Sequence, residues 1–277
     1  MKKKITVGTL AFNLAIFSFL IVQMYPLFWL IVSSFRPNLD LSSKPFSFPS
    51  TLTIVNFQNV ILKSNIFIYI KNTVIVAIVS LFLIVVISSM ASFAISKMRF
   101  GLSDRVYSYF ITGLTIPYMV TVIPLFIMFT SLNIIDSYLA LILPMVGFSL
   151  PVSILLFVNF FRFIPNELIE AAIIDGCSIT QVFTKIILPL SRNTIVTVIA
   201  MNLIFIWNDY TFSLIFINST EMKTVSLGLQ DFIGSHGVTD WGATYAAICT
   251  STLPTLILYF LLHKQITGGM TLGAVKG

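Results

Sequence analysis

From Asn72 to Ser96 no side chain carries a charge, and most are Val, Ile, Leu or Phe. The hydrocarbon core of a bilayer is about 30 Å thick and takes roughly 20 apolar residues of helix to cross. This run is long enough. In lipid every backbone N–H and C=O must find its partner within the segment, which leaves the α-helix as its form. Five further stretches read the same way, so spans are expected at residues 7–32, 72–96, 106–129, 138–163, 194–218 and 243–262. Composition agrees, with 57% hydrophobic and 9% charged residues, against roughly a quarter charged in soluble domains. The expected class is an all-α polytopic membrane protein, residues 1–277 forming one transmembrane domain.

One polar, helix-prone island interrupts this pattern at residues 164–190. Pro165 suits a first helical position, and Glu167 and Glu170 place negative charge near the positive end of a helix dipole. Gly176 is placed to end that helix, and Ser178 with Gln181 has the spacing of a capping box for another. The second helix then carries Ile179, Val182, Phe183 and Ile186 as one apolar stripe before Pro189 interrupts it. A stripe of that kind requires a partner.

The order Glu170-Ala171-Ala172, three residues, Gly176, nine residues, Ile186, one residue, Leu188-Pro189 resembles the EAA loop of ATP-binding-cassette (ABC) importer permeases. The resemblance implies a type I importer permease with six transmembrane helices, whose loop is a cytoplasmic coupling helix. That helix docks on a separate ATPase subunit through Glu170, Ala171, Ala172, Asp175, Gly176, Ile186, Leu188 and Pro189. An amphipathic loop packed only against its own bundle is the plainer alternative. Two more stretches resemble the carbohydrate branch of the same family. Trp207-Asn208-Asp209-Tyr210 is similar to its Trp-Asn-acid-aromatic signature, and Gly273-Ala274-Val275-Lys276-Gly277 closes the chain as the tails of maltose-type permeases do. Met270 stands where that tail usually has Leu. The tail is implied to lie against the ATPase subunits.

Charge placement bears on topology independently. With the amino terminus inside, Lys2, Lys3, Lys4, Lys97, Arg99, Arg105, Arg162, Lys185, Arg192, Lys264 and Lys276 are cytoplasmic, and Arg36, Lys44, Lys63, Lys71 and Lys223 are outside. This bias satisfies the positive-inside rule, with both termini and the island cytoplasmic. The net charge of +6 is scattered at span ends rather than gathered into a nucleic-acid patch. Lys2 to Lys4 before an apolar run mimics a secretory signal, but the run continues past Trp29 without a small-x-small cleavage site, so it reads as a retained first span.

Several expectations are local. Residues 52–57 suit an amphipathic surface helix, with Asn56-Phe57 and Asn72-Thr73 at places that match the carbohydrate branch. Ser88, Ser92 and Ser96 form a small-residue stripe for close helix approach. Pro117 and Pro124 bend the third span, either as part of a pathway or as a packing kink. Asp136 is placed to cap the fourth span. An ionised Asp209 deep in lipid costs about 3 kcal/mol. Asp209 should therefore face water or a partner, and with the resemblance of this run to the carbohydrate-branch signature, Asn208, Asp209 and Tyr210 are read as lining a translocation path or its outer gate; an irregular break near the outer interface with Asp209 satisfied by backbone donors is the alternative.

Chemistry of other kinds is missing from the sequence. There is no Gly-x-x-x-x-Gly-Lys-Ser/Thr phosphate loop, so ATP and Mg belong to partner subunits. His236, His263, Cys177 and Cys249 lack companions at metal-ligand or triad spacing. The expected function is a permease subunit of a sugar or oligosaccharide importer in the cell membrane. Its expected partners are a second permease in a heterodimer, two ATP-binding subunits, an extracytoplasmic solute-binding protein reached by the loop at residues 219–242, and membrane lipid. A self-contained carrier driven by ion gradients would want several intramembrane carboxylates, and the sequence offers essentially Asp209. A permease for a glycerol phosphate is the other alternative.

Overall fold

The computed structural model describes residues 7–98, 100–233 and 239–274, with side chains left out at residues 7, 9, 11 and 261–274. Every regular element among the described residues is helical. In chain order these are α1 (Val7–Ser34), α2 (Asn38–Ser43), α3 (Val55–Lys63), α4 (Ile66–Lys97), α5 (Ser103–Thr112), α6 (Tyr118–Ser131) and α7 (Tyr138–Phe163). There follow α8 (Asn166–Ile174), α9 (Ile179–Val182), α10 (Leu188–Leu190), α11 (Arg192–Trp207), α12 (Thr211–Phe216), α13 (Val225–Gly228) and α14 (Trp241–Ala274). Among the described residues, four helices are long and apolar enough to cross a membrane, and two bent helix pairs are so when each pair is taken together. The chain divides into two compact units, residues 1–67 with 229–253 and residues 68–228 with 254–277.

The first unit is organised by the loop after α1. Arg36 is fully buried there and donates to the carbonyls of Lys44 (2.9 Å) and Pro45 (3.1 Å) and to the Ser47 hydroxyl (3.2 Å). The loop thus wraps the guanidinium and satisfies its own carbonyls where water does not reach. Asn56 donates to the carbonyls of Ser34 (2.9 Å) and Arg36 (2.8 Å), groups that the end of α1 leaves without helical partners. Gly242 must be glycine here, because a Cβ would stand 2.6 Å from the Asn56 amide. The surface helix expected at residues 52–57 forms later, as α3. The Thr53 amide donates to the Phe35 carbonyl at 2.7 Å and so holds the preceding residues out of a helical ladder.

In the second unit α7 is the central element, with Leu141, Met145, Ile154, Phe157 and Phe161 all fully buried along it. The serine stripe on α4 brings that helix against α7, where the buried Ser92 hydroxyl donates to the Ile154 carbonyl at 3.2 Å. On another side, Asn202 of α11 donates to Ser153 of α7 at 3.1 Å. The start of α4 is bound just as closely. Asn72 donates to the carbonyls of Glu221 (2.7 Å) and Lys223 (2.9 Å) and accepts from the Tyr138 hydroxyl (2.8 Å), while the Thr73 hydroxyl accepts from the Val225 amide (2.9 Å).

Three sequence expectations change in this unit. The third span, expected to bend at Pro117 and Pro124, breaks at the first alone: residues 103–115 and 118–131 meet at 98°, because Pro117 cannot continue a ladder and instead stands at the start of α6. Pro124, by contrast, lies inside α6 without breaking it. The fifth span, for which an irregular break is the alternative reading, is interrupted: α11 ends at Trp207 and the short α12 resumes at Thr211. Finally, Ser137 rather than Asp136 is the N-cap of α7. Asp136 adopts φ 59° and turns its carboxylate to the amides of Asn218 and Ser219 and the Ser219 hydroxyl, all at 3.0 Å. Burial raises its carboxyl, but those three donors outweigh it and hold the group below the ordinary carboxylate value.

Candidate functional site

The polar island folds as an elbow of short helices. Pro165 stands just before α8 rather than in its first position. On α8, Ile169 and Ala172, three apart, are buried against the core, which leaves Glu170, Ala171, Ile173 and Ile174 facing out. Ala172 has no bulk to hold the helix away. The helix closes in a Schellman arrangement: Gly176 adopts φ +83°, its amide donates to Ile173 (3.0 Å), and the Cys177 amide donates to Ala172 (2.9 Å). Asp175 is the C-cap and is exposed.

Ser178 then opens the next turn through a complete capping box. Its hydroxyl accepts from the Gln181 backbone amide at 3.3 Å, and its amide donates to the Gln181 side-chain oxygen Oε1 at 2.8 Å. The turn that follows, Phe183–Ile187, is π-helical, with the Leu188 amide reaching back to Phe183. In an α-helical ladder the Pro189 ring would crowd the carbonyl four residues back, and the wide turn before it avoids that ladder. It also changes which residues face the core. Val182 and Ile187, five apart, are fully buried, Phe183 and Ile186 are packed at the core's edge, and Ile179 is 44% exposed. The stripe expected from α-helical spacing is thereby rotated. Leu188 is half-buried and Pro189 exposed. The elbow leaves at 73° into α11.

Two contacts missed at the level of sequence position this elbow. Lys97, the last residue of α4, donates to the Ile164 carbonyl (2.5 Å) and the Asn166 side-chain oxygen (3.0 Å) at the entry to α8. The ring of Phe93 lies 5.2 Å from that of Phe183. Neither pairing had a signal in the sequence, since the partners are far apart in the chain. The outward apolar residues did have one: Leu168, Ile173 and Ile174 are large aliphatics inside a polar island, and Ile174 is 85% exposed.

At the interruption after α11, Asp209 acts as a cap for α12. Its carboxylate accepts from the amides of Phe212 (3.2 Å) and Ser213 (3.1 Å) and from the Ser213 hydroxyl (3.0 Å). These are donors a helix start leaves free. The Ser213 hydroxyl accepts from Thr224 at 2.9 Å, which ties the cap to the following loop. Asn208 and Tyr210 are exposed on either side. The structure thus joins Asp209 to α12 and does not bring it to the elbow. Of the tail, Gly273 and Ala274 end α14, while Val275, Lys276 and Gly277 lie outside the described residues, as does His236. No group of three or more His, Cys, Asp or Glu among the described residues is arranged to hold a metal.

Comparison with known proteins gives this geometry a family. The profile described as "Binding-protein-dependent transport system inner membrane component" matches residues 84–271. A putative ABC transporter permease protein of Caldicellulosiruptor sp. (strain Rt8B.4) is 41% identical over 253 residues, 91% of each chain. The trehalose/maltose transport system permease protein of Thermococcus litoralis is 34% identical over 261 residues, 93% of each chain. In fold, the chain is similar to one from a bacterial ABC transporter involved in the import of the acidic polysaccharide alginate, with a TM-score of 0.79 at 18% identity, covering 95% of this chain and 98% of that one. The chain therefore belongs to the binding-protein-dependent transport system inner membrane components, as a multi-pass membrane permease of the ABC class and a transport component rather than an enzyme.

Proposed function

We propose that this chain is one permease half of an ABC importer for a sugar or oligosaccharide, crossing the membrane six times with both termini cytoplasmic. The observation that carries the coupling role is the elbow itself. It presents Ile173 and Ile174 outward on a helix of nine residues that Gly176 terminates, while Ile169 and Ala172 hold it to the core. Exposed aliphatics on a short, well-anchored helix are expected to be covered by a partner. The partner proposed is an ATPase subunit, met by Glu170, Ala171, Asp175 and Gly176 on the elbow's surface and by the tail at residues 273–277. ATP and Mg reside on that subunit.

The rest of the assembly follows from the same reading. A second permease completes a heterodimer, a second ATPase subunit completes the motor, lipid surrounds the spans, and an extracytoplasmic solute-binding protein delivers the cargo to the loop at residues 219–242. Carbohydrate is favoured because the relatives with named cargo include trehalose/maltose and diacetylchitobiose systems. Asn208 and Tyr210, exposed beside the capped Asp209, are placed along the translocation path. ATPase closure would move the elbow, and Lys97 with Phe93 would pass that movement to α4.

Replacing Glu170 by Lys reverses a surface charge, and replacing Gly176 by Val forces a β-branched residue into a left-handed conformation. Both variants are expected to insert normally into the membrane. Co-purification of the ATPase subunit should fall about tenfold or more, the equivalent of about 1.4 kcal/mol. Full retention of the ATPase and of uptake in both variants would refute the coupling role.

A further inference from the structure

Two helix interruptions in the second unit converge on one side chain. The first is the 98° bend between residues 115 and 118; the second separates α11 from α12 at Asn208 to Tyr210. Each takes backbone out of a continuous helical ladder, and at the second the Asp209 carboxylate accepts the Phe212 and Ser213 amides in place of helical carbonyls. In hydrocarbon such backbone is tolerated only when protein buries it or when it lines a water-filled cavity. Residues at both breaks are open to the surroundings: Leu114, Ile116 and Tyr118 are exposed at the first, and Asn208 and Tyr210 at the second.

Tyr118 stands between them. Its ring centroid is 5.8 Å from that of Phe212 on α12, 6.5 Å from Phe205 on α11 and 6.4 Å from Phe148 on α7. Phe148 fixes the depth, since it lies about 15 Å from the Tyr138 end of α7 and about 22 Å from the Phe163 end at 1.5 Å per residue. That is near the middle of a span, whereas tyrosines favour the two interfaces, where the hydroxyl is wet. The Tyr118 hydroxyl meets no hydrogen-bond partner among the described residues, and the side chain is 36% exposed. A phenol in that position requires a polar neighbour from outside the chain.

Resting on the permease reading above, we propose that Tyr118 lines the translocation path and contacts the passing saccharide, its ring offering a stacking face and its hydroxyl a hydrogen bond. An aromatic ring with a polar tip matches the two surfaces of a sugar, an apolar face of C–H groups and a rim of hydroxyls. The ligand class is a neutral saccharide. Segments 118–131, 141–155 and 198–216, which supply the converging rings, hold no Lys or Arg to pair with an anionic one.

The test uses the full importer in proteoliposomes, with its ATPase subunits and binding protein, and radiolabelled maltose, trehalose and diacetylchitobiose as probes. In a Cys177→Ser, Cys249→Ser background, Tyr118→Cys should react with a charged, membrane-impermeant thiosulfonate. Saccharide undergoing import should slow that reaction, and Phe82→Cys on the exposed apolar side of α4 should not react. Tyr118→Phe, which keeps the ring, should slow uptake about fivefold, as expected for one lost hydrogen bond, with co-purification of the second permease unchanged. An unlabelled position 118 in an importer that does transport one of the sugars would overturn this proposal alone. Loss of the second permease from Tyr118→Phe would also overturn it, since the phenol would then be an interface group. Import of none of the three sugars by the unsubstituted importer would overturn the carbohydrate reading and this proposal with it.

Discussion

Gly176 and Asp136 show how much one residue's backbone can decide. Both sit at positive φ, +83° and 59°. Nothing lies within 4 Å of where a Gly176 Cβ would be. The cost of Gly176→Ala is therefore purely conformational, about 1 kcal/mol, and should appear as faster hydrogen exchange at the Gly176 and Cys177 amides that close α8. Asp136 carries a pH dependence. Its folded carboxyl is held below its ordinary value, so the ionised form contributes stability that is fully present above that value and is lost as pH falls through the lower, folded one. The stability difference between the wild type and Asp136→Asn, read from thermal unfolding in detergent, should be constant above about pH 5 and shrink below about pH 4. A difference that persists at low pH would mean that the carboxylate's charge plays no part. The fold of residue 176 was legible in the sequence because its cause is local. That of Asp136 was not, because its acceptor role is fixed by amides at Asn218 and Ser219.

At the scale of elements, the serine stripe and the π-turn illustrate opposite outcomes. Small residues four apart on α4 were expected to admit a neighbour closely, and Ser92 does meet the Ile154 backbone. If closeness rather than the hydrogen bond is what matters, Ser92→Ala should cost under about 1 kcal/mol and Ser92→Leu about 1–3 kcal/mol through overpacking. Thermal melts of the two variants in detergent separate these; equal effects would point to the hydroxyl. The elbow's second helix was foreseen with its capping box but in the wrong register beyond it. Helical spacing assumes 3.6 residues per turn, and the wide turn before Pro189 adds a residue, so that Ile187 rather than Ile186 follows Val182 into the core. Likewise the 98° bend exceeds what a proline inside a helix demands, since Pro124 lies inside α6. Pro117 permitted the break, while α5 packs on α7 and α6 on α12, neighbours that proline chemistry alone does not specify.

For the molecule as a whole, the permease role implies a reciprocal relation between cargo and motor. If ATPase closure biases the path, substrate delivered by the binding protein must bias the ATPase by the same coupling free energy. ATP turnover of the reconstituted importer should rise with loaded binding protein, and Gly176→Val should abolish that rise. Unchanged turnover in the wild type would contradict the coupling. The sequence by itself determined the medium, the helical class, the elbow's limits and its caps, because hydropathy, glycine geometry and capping act within a few residues. The tertiary structure alone decided that Lys97 holds the elbow, that Asp209 caps a helix and that Tyr118 stands between two broken ones. Those outcomes depend on side chains meeting across tens of residues of chain, where linear spacing carries no distance information.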